Sequence, residues 1–390
     1  MNDPYGAFRL DFEQQQKRAK DLLKAARSGD AAALARFRSP PKLAEAQWLI
    51  ARELRFENWA ALKHHIAALA QERAGMGASV PDADLRTLHI RCGSDLEVPL
   101  RQAGFHGDFL EHGYPYSIGP VLERDERRLM ESADYERVVI WSEGDVHDQL
   151  VLIRLLGHFA QGRRPPRLEL INRGDFPGAT RFIGLGQLPP EALRLLWATR
   201  RSAGAAQLQL GLAAWRALAN PDPRPLAAIM RTGTPALPLL ARALDRHLRE
   251  LPSVRNGLSL SEQLALALLA DGPENLNGIF TRMNRFADPL PGQGDLGVRD
   301  RVLAMEKATR PVFTRRAGRD SNGNERPPWT DVLAITDLGR AVLRGEVDFR
   351  SLDPPLRWVG GVKIGAGHID WRWDEALQDA VRGPQGPSTS

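Results

Sequence analysis

The stretch Arg137-Val138-Val139-Ile140-Trp141-Ser142-Glu143-Gly144-Asp145-Val146-His147-Asp148-Gln149 decides how the chain is read. Its first five residues are unbroken in their apolar centre, the pattern of a strand covered on both faces. Asp145 follows as a helix-starting side chain, and the spacing after it predicts a helix over Asp145–Ala160. A buried strand that runs straight into a helix is half of a βαβ unit. The pattern recurs on either side. Thr87–Arg91 reads as a strand ending at Gly93, with Ser94 and Asp95 as capping residues of a helix to about Ala103. Phe109–His112 and Arg167–Ile171 read as further strands. Strands alternating with helices predict an α/β domain over residues 85–200, built on a mainly parallel, Rossmann-like sheet.

Outward from that domain the period is helical. Residues 1–72 read as a helical N-terminal domain. Asp30 caps a helix over Ala31–Phe37, and Asn58 caps one in which Trp59, Leu62, Ile66 and Leu69 recur at helical spacing. Residues 73–84 are small, polar and Gly/Pro-containing, the composition of a linker. Residues 201–255 read as a helical connector broken by Pro221, Pro223, Pro225, Pro235 and Pro238, with a helix over Leu237–Leu251.

In residues 256–376, Ser259 and Glu262 form a capping box for a helix to Ala270. Helices over Glu274–Phe286 and about Leu296–Ala308 follow, then a polar hairpin-like stretch, Arg315–Arg326, turning at Asn322-Gly323. A strand over Val332–Thr336 leads into a helix over Asp337–Leu343. Three helices followed by a strand pair resemble a winged helix, so a winged-helix-like α+β C-terminal domain is expected. Residues 377–390 read as a tail, of which Gly383–Ser390 is Gly/Pro/Ser in composition and without fixed structure.

Bulk composition bounds the function. A length of 390 residues implies two or three domains, and 43% apolar with 26% charged residues is globular. No apolar run approaches the roughly 18–20 residues that span a bilayer. Met1-Asn2-Asp3-Pro4 lacks the basic and apolar regions of a signal peptide. Cys92 is the single cysteine, which excludes an intramolecular disulfide and a cysteine-based zinc site. A cytoplasmic protein with no membrane partner is expected. The net charge is +5, and the basic residues are nearly all arginine. That bias reads either as the imprint of a GC-rich genome or as phosphate or nucleic-acid contact.

In open parallel sheets ligands sit beyond the carboxyl ends of the strands, and two loops lie there. In Cys92-Gly93-Ser94-Asp95, a glycine turn opening a helix presents free N–H groups to a phosphate or carboxylate. The same turn also reads as an ordinary capped βα turn. Cys92 as a nucleophile would need a base, for which His89 on the same strand and His112 on another strand are the candidates. The second loop, Trp141–Gln149, gathers three carboxylates, one imidazole and one amide. Asp145, Asp148 and Gln149 fall on one side of the helix start. They are the candidate catalytic residues, and Asp145 and Asp148 are candidate ligands of a divalent metal ion. Acidic residues are also favoured at helix N-termini for dipole reasons alone. Arg173 and Asp175 follow the next strand and either complete the same rim or form a surface turn. Gly93, Ser94, Asp95, Arg173 and Asp175 are thus the candidate ligand-binding residues. The Trp/Arg-rich ending, Arg357-Trp358 and Trp371-Arg372-Trp373, reads as a ligand wall or as packing with Arg stacked on Trp.

Two groups of stretches resemble a known family. Leu88-His89-Ile90…Gly93-Ser94-Asp95, Val139-Ile140-Trp141…Asp145…Asp148-Gln149-Leu150 and Phe182-Ile183-Gly184-Leu185-Gly186 look like the bacterial family called domain of unknown function number 1835. Leu338-Gly339-Arg340-Ala341-Val342-Leu343, Arg357-Trp358-Val359-Gly360-Gly361 and Trp371-Arg372-Trp373-Asp374 resemble the C-terminal part of its longer members. In that family's pattern a His precedes the first Asp of the WxExDxxDQ stretch. Here the position is Gly144, so a mechanism through a histidine there is not carried over. The resemblance implies no assigned reaction. Ala51-Arg52-Glu53-Leu54-Arg55-Phe56…Trp59…Leu62-Lys63 resembles the helical lead-in of some bacterial ankyrin-type proteins, with no ankyrin repeat after it.

These expectations point to a small-ligand-binding α/β protein. Its ligand would be a nucleotide or phosphorylated metabolite, with metal-assisted hydrolase or transferase chemistry as the reaction the site could carry. The alternative is a winged-helix regulator or scaffold that binds DNA or protein through its C-terminal domain. Arg299, Arg301, Lys307, Arg310, Arg315 and Arg316 would form its basic cluster, diluted by Asp300 and Glu306.

Overall fold

The computed structural model describes residues 5–38, 40–113, 123–178, 182–290, 294–319 and 325–383. Helices α1 (Phe12–Arg27), α2 (Ala31–Leu34), α3 (Leu43–Glu53) and α4 (Trp59–Gly75) come first. Strand β1 (Thr87–Arg91), α5 (Glu97–Gln102), β2 (Asp108–Glu111), α6 (Glu123–Glu131), β3 (Arg137–Glu143), α7 (Val146–Gln161), β4 (Arg167–Arg173), α8 (Pro190–Trp197) and β5 (Arg201–Ser202) follow. Then come α9 (Ala205–Leu218), α10 (Arg224–Thr232), α11 (Leu240–Leu248) and α12 (Leu260–Ala270). After them lie β6 (Glu274–Asn275), α13 (Leu276–Arg282), α14 (Asp295–Ala304), β7 (Phe313–Arg316), β8 (Val332–Ile335) and α15 (Asp337–Arg344). Strands β9 (Arg357–Val359), β10 (Val362–Ile364), β11 (Trp371–Asp374) and β12 (Asp379–Arg382) come last among the described residues. The protein is mixed α/β.

Contacts divide the described residues into two compact units, each assembled from separate segments. The first draws on Met1–His112, Arg127–Glu143 and Arg163–Ala203, the second on Gly113–Glu126, Gly144–Gly162 and Gly204–Ser390.

The first unit holds a five-stranded sheet of order β2-β1-β3-β4-β5. Strands β1 to β4 run parallel, and the short edge strand β5 is antiparallel to β4. β1 and β3 are buried along their whole length, as their apolar runs require. Val139, Trp141 and Ile171 pack with Leu193 and Trp197 of α8 and with Phe8 and Leu69 from the N-terminal part. The N-terminal helices also have a cluster of their own around Ala19, Ile50, Leu54 and Leu62. Asp30 and Asn58 cap α2 and α4, accepting from Ala33 N at 2.7 Å and Ala61 N at 2.9 Å. Arg9 and Arg73 both pair with the fully buried Glu191 of α8, at 2.7 and 2.9 Å. The stretch expected to be a linker, residues 73–84, is not loose. Its Asp82 is buried and accepts from His106 N at 3.0 Å and Gly107 N at 2.7 Å, with His89 Nε2 at 3.1 Å. One carboxylate satisfying three polar groups holds the segment down, which composition alone does not reveal.

In the second unit α7 crosses α9 closely. A Cβ at Gly211 would lie 2.4 Å from the Cβ of Leu156, and one at Gly157 would lie 3.3 Å from Trp215. Helices α12, α13 and α14 share a core with Phe313 and Leu333 of a three-stranded antiparallel sheet, order β6-β8-β7. The Ser259–Glu262 capping box forms as the sequence predicts. The helix expected over Glu274–Phe286 instead starts two residues later. Glu274 and Asn275 pair with β8, and Asn275 caps α13 by accepting from Gly278 N at 2.8 Å. The Trp-rich ending forms two hairpins, β9–β10 and β11–β12. Trp371 is buried, and Arg224 and Arg382 stack over its ring at 5.1 and 5.7 Å, so this part packs. Residues Asp379–Arg382, expected as tail, are strand β12, because they pair with β11. The expected Asn322-Gly323 turn and residues 384–390 lie outside the described residues. Among the described residues no helix is long and apolar enough to cross a membrane.

Candidate functional site at the strand ends

The strand order turns back between β1 and β3: β2 lies on one side of β1, and β4 lies beyond β3. The loops after these two adjacent parallel strands carry the candidate residues. Arg91, the last residue of β1, is buried, and its guanidinium points along the strand ends. It reaches Asp95 Oδ1 with Nε at 3.1 Å and Asp95 Oδ2 with Nη2 at 3.2 Å. Its Nη2 also lies 3.1 Å from Glu143 Oε2, at the end of β3. One guanidinium thus ties together the two loops.

The segment after β4 closes over this group. The N–H of Leu185 donates to Glu143 Oε2. Gly184 and Gly186 lie so close that added Cβ atoms would come 2.5 Å from Glu143 Oε1 and 2.5 Å from Asp95 Oδ2. At both positions glycine leaves room for these carboxylates, and neither backbone conformation requires it. The ends of β1 and β3 and residues 182–186 therefore meet around Arg91, Asp95 and Glu143.

Asp145 is the N-cap of α7 and accepts from Asp148 N at 2.9 Å. The sharp passage from strand to helix brings Glu143, Asp145 and Asp148 together along six consecutive residues. Each offers a carboxylate oxygen within 4.8 Å of the others, and all three side chains are buried. Gln149 is fully buried on the same helix turn. Carboxylates this close repel, and burial strengthens the repulsion. A hard divalent cation, which prefers oxygen ligands, offsets both.

Not every expected residue takes its expected role. Ser94 and Asp95 do not cap a helix: α5 begins at Glu97 with Leu96 at its N-cap and no side-chain cap bond. Asp95 is drawn to Arg91 instead, because the guanidinium offers two charge-assisted bonds where a helix end would offer one. A carboxylate lying 3.7 Å from where a Gly93 Cβ would sit makes this turn an unfavourable place for a bare phosphate. Arg173 stands opposite Glu143 in the sheet register and lies 3.6 Å from Asp175, which is exposed. His89, weighed as a base for Cys92, is buried between Asp82 and Trp141, whose Nε1 donates to its Nδ1 at 3.1 Å. Burial pushes its pKa down, against the pull of Asp82. Arg91, Gly184 and Gly186 were not among the residues expected at the site, and Glu143, counted in the second loop, was not singled out. A charged residue closing an apolar strand at Arg91, and two glycines flanking Leu185, were the available signals.

No protein-family model matches the chain, and no curated protein matches it.

Proposed function

We propose that the α/β sheet binds a divalent metal ion through Glu143, Asp145 and Asp148 at its strand ends. Through that ion it takes a small phosphorylated or nucleotide-like molecule. The carboxylate triad at the point where the strand order reverses carries this reading. In doubly wound sheets, including those of order 2-1-3-4, ligands bind in the crevice outside that point. Reading the sheet as Rossmann-like in this sense is an analogy of fold, and the chemistry rests on the residues. The family resemblance supports the same place, since its stretches supply Asp95, the triad and the two glycines. The metal would bring Lewis acidity to a bound phosphoryl oxygen, the basis of hydrolase or transferase chemistry. Gln149 and Arg173 would orient the ligand.

The rival reading, a winged helix that contacts DNA, has support in the order α12, β6, α13, α14, β7, β8. Its basic cluster is less favourable. Arg299 pairs with Asp300 at 2.7 Å and stacks over Trp329 at 5.6 Å, and Arg315 is held by Glu306 at 2.8 Å and Asp331 at 3.0 Å. Arginines engaged inside their own unit have fewer donors for phosphates. The small-ligand reading is therefore preferred.

The test is titration of the full chain with Mn2+ by calorimetry and electron paramagnetic resonance, with Mg2+ in competition. One saturable site, weakened roughly tenfold or more by Asp148→Asn or Glu143→Gln, is expected. An affinity that both variants leave untouched, or no binding at millimolar Mn2+, overturns the proposal.

A further inference from the structure

The second unit contains a cavity of about 490 Å³, within the range of roughly 300–1,000 Å³ typical of small-molecule sites. It is lined by groups from α11, α12, α14 and β9. Three arginines face it, and they are not alike. Arg246 is the most fully bonded of the three. It makes a fork to Asp288 at 2.9 and 2.8 Å, a bond to Glu250 Oε1 at 2.7 Å and one to Ser261 Oγ at 2.9 Å. Arg357 donates one hydrogen bond, from Nη1 to the carbonyl of Glu250 at 2.7 Å, and its Nε stays 3.6 Å from Glu262. Arg301 comes no nearer than 3.7 Å to Glu250 and makes no hydrogen bond among the described residues. Yet the Arg301 and Arg357 side chains are only 17% and 16% exposed.

A guanidinium carries five N–H donors, and burying them unmatched is costly. The acids at hand are already committed. Glu262 holds the Ser259 N–H of its capping box at 2.7 Å, and Asp300 is paired with Arg299. Burial, helped by the neighbouring charges of Arg301 and Arg350 and opposed by Glu262 and Glu250, brings Arg357 down to about 10. The cavity therefore holds donors and positive charge that its own carboxylates do not fully use. Met305, Phe349, Leu356 and Trp358 give it an apolar side, and His247 and Lys307 also line it.

We infer that this cavity is a binding site for a small organic anion, its phosphate or carboxylate held by Arg301 and Arg357 and its flat apolar body set against Trp358 and Phe349. Such a ligand supplies acceptors to both guanidiniums and covers the apolar wall, two needs that no single inorganic ion meets. The inference is independent of the strand-end metal site.

Phenyl phosphate and benzoate are the probes, with inorganic phosphate and benzyl alcohol as controls. Binding to the full chain is followed by calorimetry and by the rise in melting temperature that any ligand of the folded state must cause. At least one aryl anion binds saturably, and both controls bind about tenfold more weakly or worse. Arg301→Gln and Arg357→Gln each weaken it by about tenfold or more, and Arg357→Lys recovers part of the loss. Ala304→Phe, which fills the cavity from α14 without touching a charge, blocks binding in a protein that circular dichroism shows to be folded. Absence of saturable binding of both aryl anions overturns the site. So does binding that survives both glutamine variants or the Ala304→Phe block. Inorganic phosphate binding as tightly as phenyl phosphate overturns the apolar half of the assignment.

Discussion

Charge is arranged in opposite ways in the two units. At the strand ends of the first, two carboxylates, Asp95 and Glu143, crowd together with Arg91 shared between them. In the cavity of the second, guanidiniums crowd together, and Glu250 is shared between Arg246 and Arg301. The first arrangement comes from short stretches of chain: a strand end and its loop, a strand-to-helix passage, and two glycines. The second comes from α11, α14 and β9, elements far apart in sequence. A local site is written in a few residues, while a site assembled by tertiary packing is written nowhere in particular.

The contrast within the cavity, between a well-bonded arginine and two sparsely bonded ones, gives the largest expected effect. Arg246→Met leaves Asp288 and Glu250 buried without their main counter-charge, and should cost about 3–5 kcal/mol of folding stability. Burial alone would lower the pKa of Arg246, but Glu250 and Asp288 override it and raise it. Arg301→Gln removes only a 3.7 Å ion pair and should stay within about 1 kcal/mol. Urea unfolding of both variants measures the difference. Equal losses would mean that Arg301 is as structural as Arg246 and that the cavity has no spare cation.

Acidification sharpens the comparison next. His247, on the cavity wall, is lowered to about 4, first by burial and then by Arg246 and Arg301, with Glu250 opposing. His65, in the first unit, is lowered to about 4 by burial and by His64. Both are neutral in the folded chain, while the unfolded chain protonates them below their ordinary 6.5. Their contribution is whole above that pH and is lost as pH falls towards 4. For His247 alone the loss amounts to about 3 kcal/mol. Glu250 is held well below the usual carboxylate range, so it stays charged through this window. Unfolding free energies of wild type and His247→Asn at pH 7, 5.5 and 4.5 test this. The variant should lose less stability between the first and last of these, and parallel curves would show that His247 titrates normally.

What could be read from the sequence follows the range of the interactions involved. The buried strands β1 and β3, the caps at Asp30, Asn58, Asp145 and Ser259, and the acidic strand-to-helix passage are all legible, because period and capping act over a few residues. The role of Asp82 was not, since its partners His89, His106 and Gly107 come from elsewhere in the chain. Nor was the true partner of Asp95. A residue that looks like a helix cap in sequence goes to a guanidinium once the fold offers a stronger bond. Arg301 and Arg357 looked like parts of a basic cluster and of a tryptophan-rich ending, and nothing local marked them as neighbours of one cavity.

The smallest expected effects separate two close glycine contacts that look equivalent as distances. A Cβ at Gly211 would sit 2.4 Å from Leu156 Cβ, and one at Gly184 would sit 2.5 Å from Glu143 Oε1. The first obstacle is rooted in the backbone of α7, so Gly211→Ala must push α9 from α7 and should cost about 1–3 kcal/mol. The second is the end of a side chain that can swing away, so Gly184→Ala should cost less than about 1 kcal/mol. Its penalty belongs to function instead. A displaced Glu143 loses its place beside Arg91 and Leu185, and Mn2+ affinity should fall although the melting temperature hardly moves. If Gly184→Ala unfolds the protein as Gly211→Ala does, the glycine serves packing. If it spares stability and removes metal affinity, the close approach of this segment is there to aim a carboxylate.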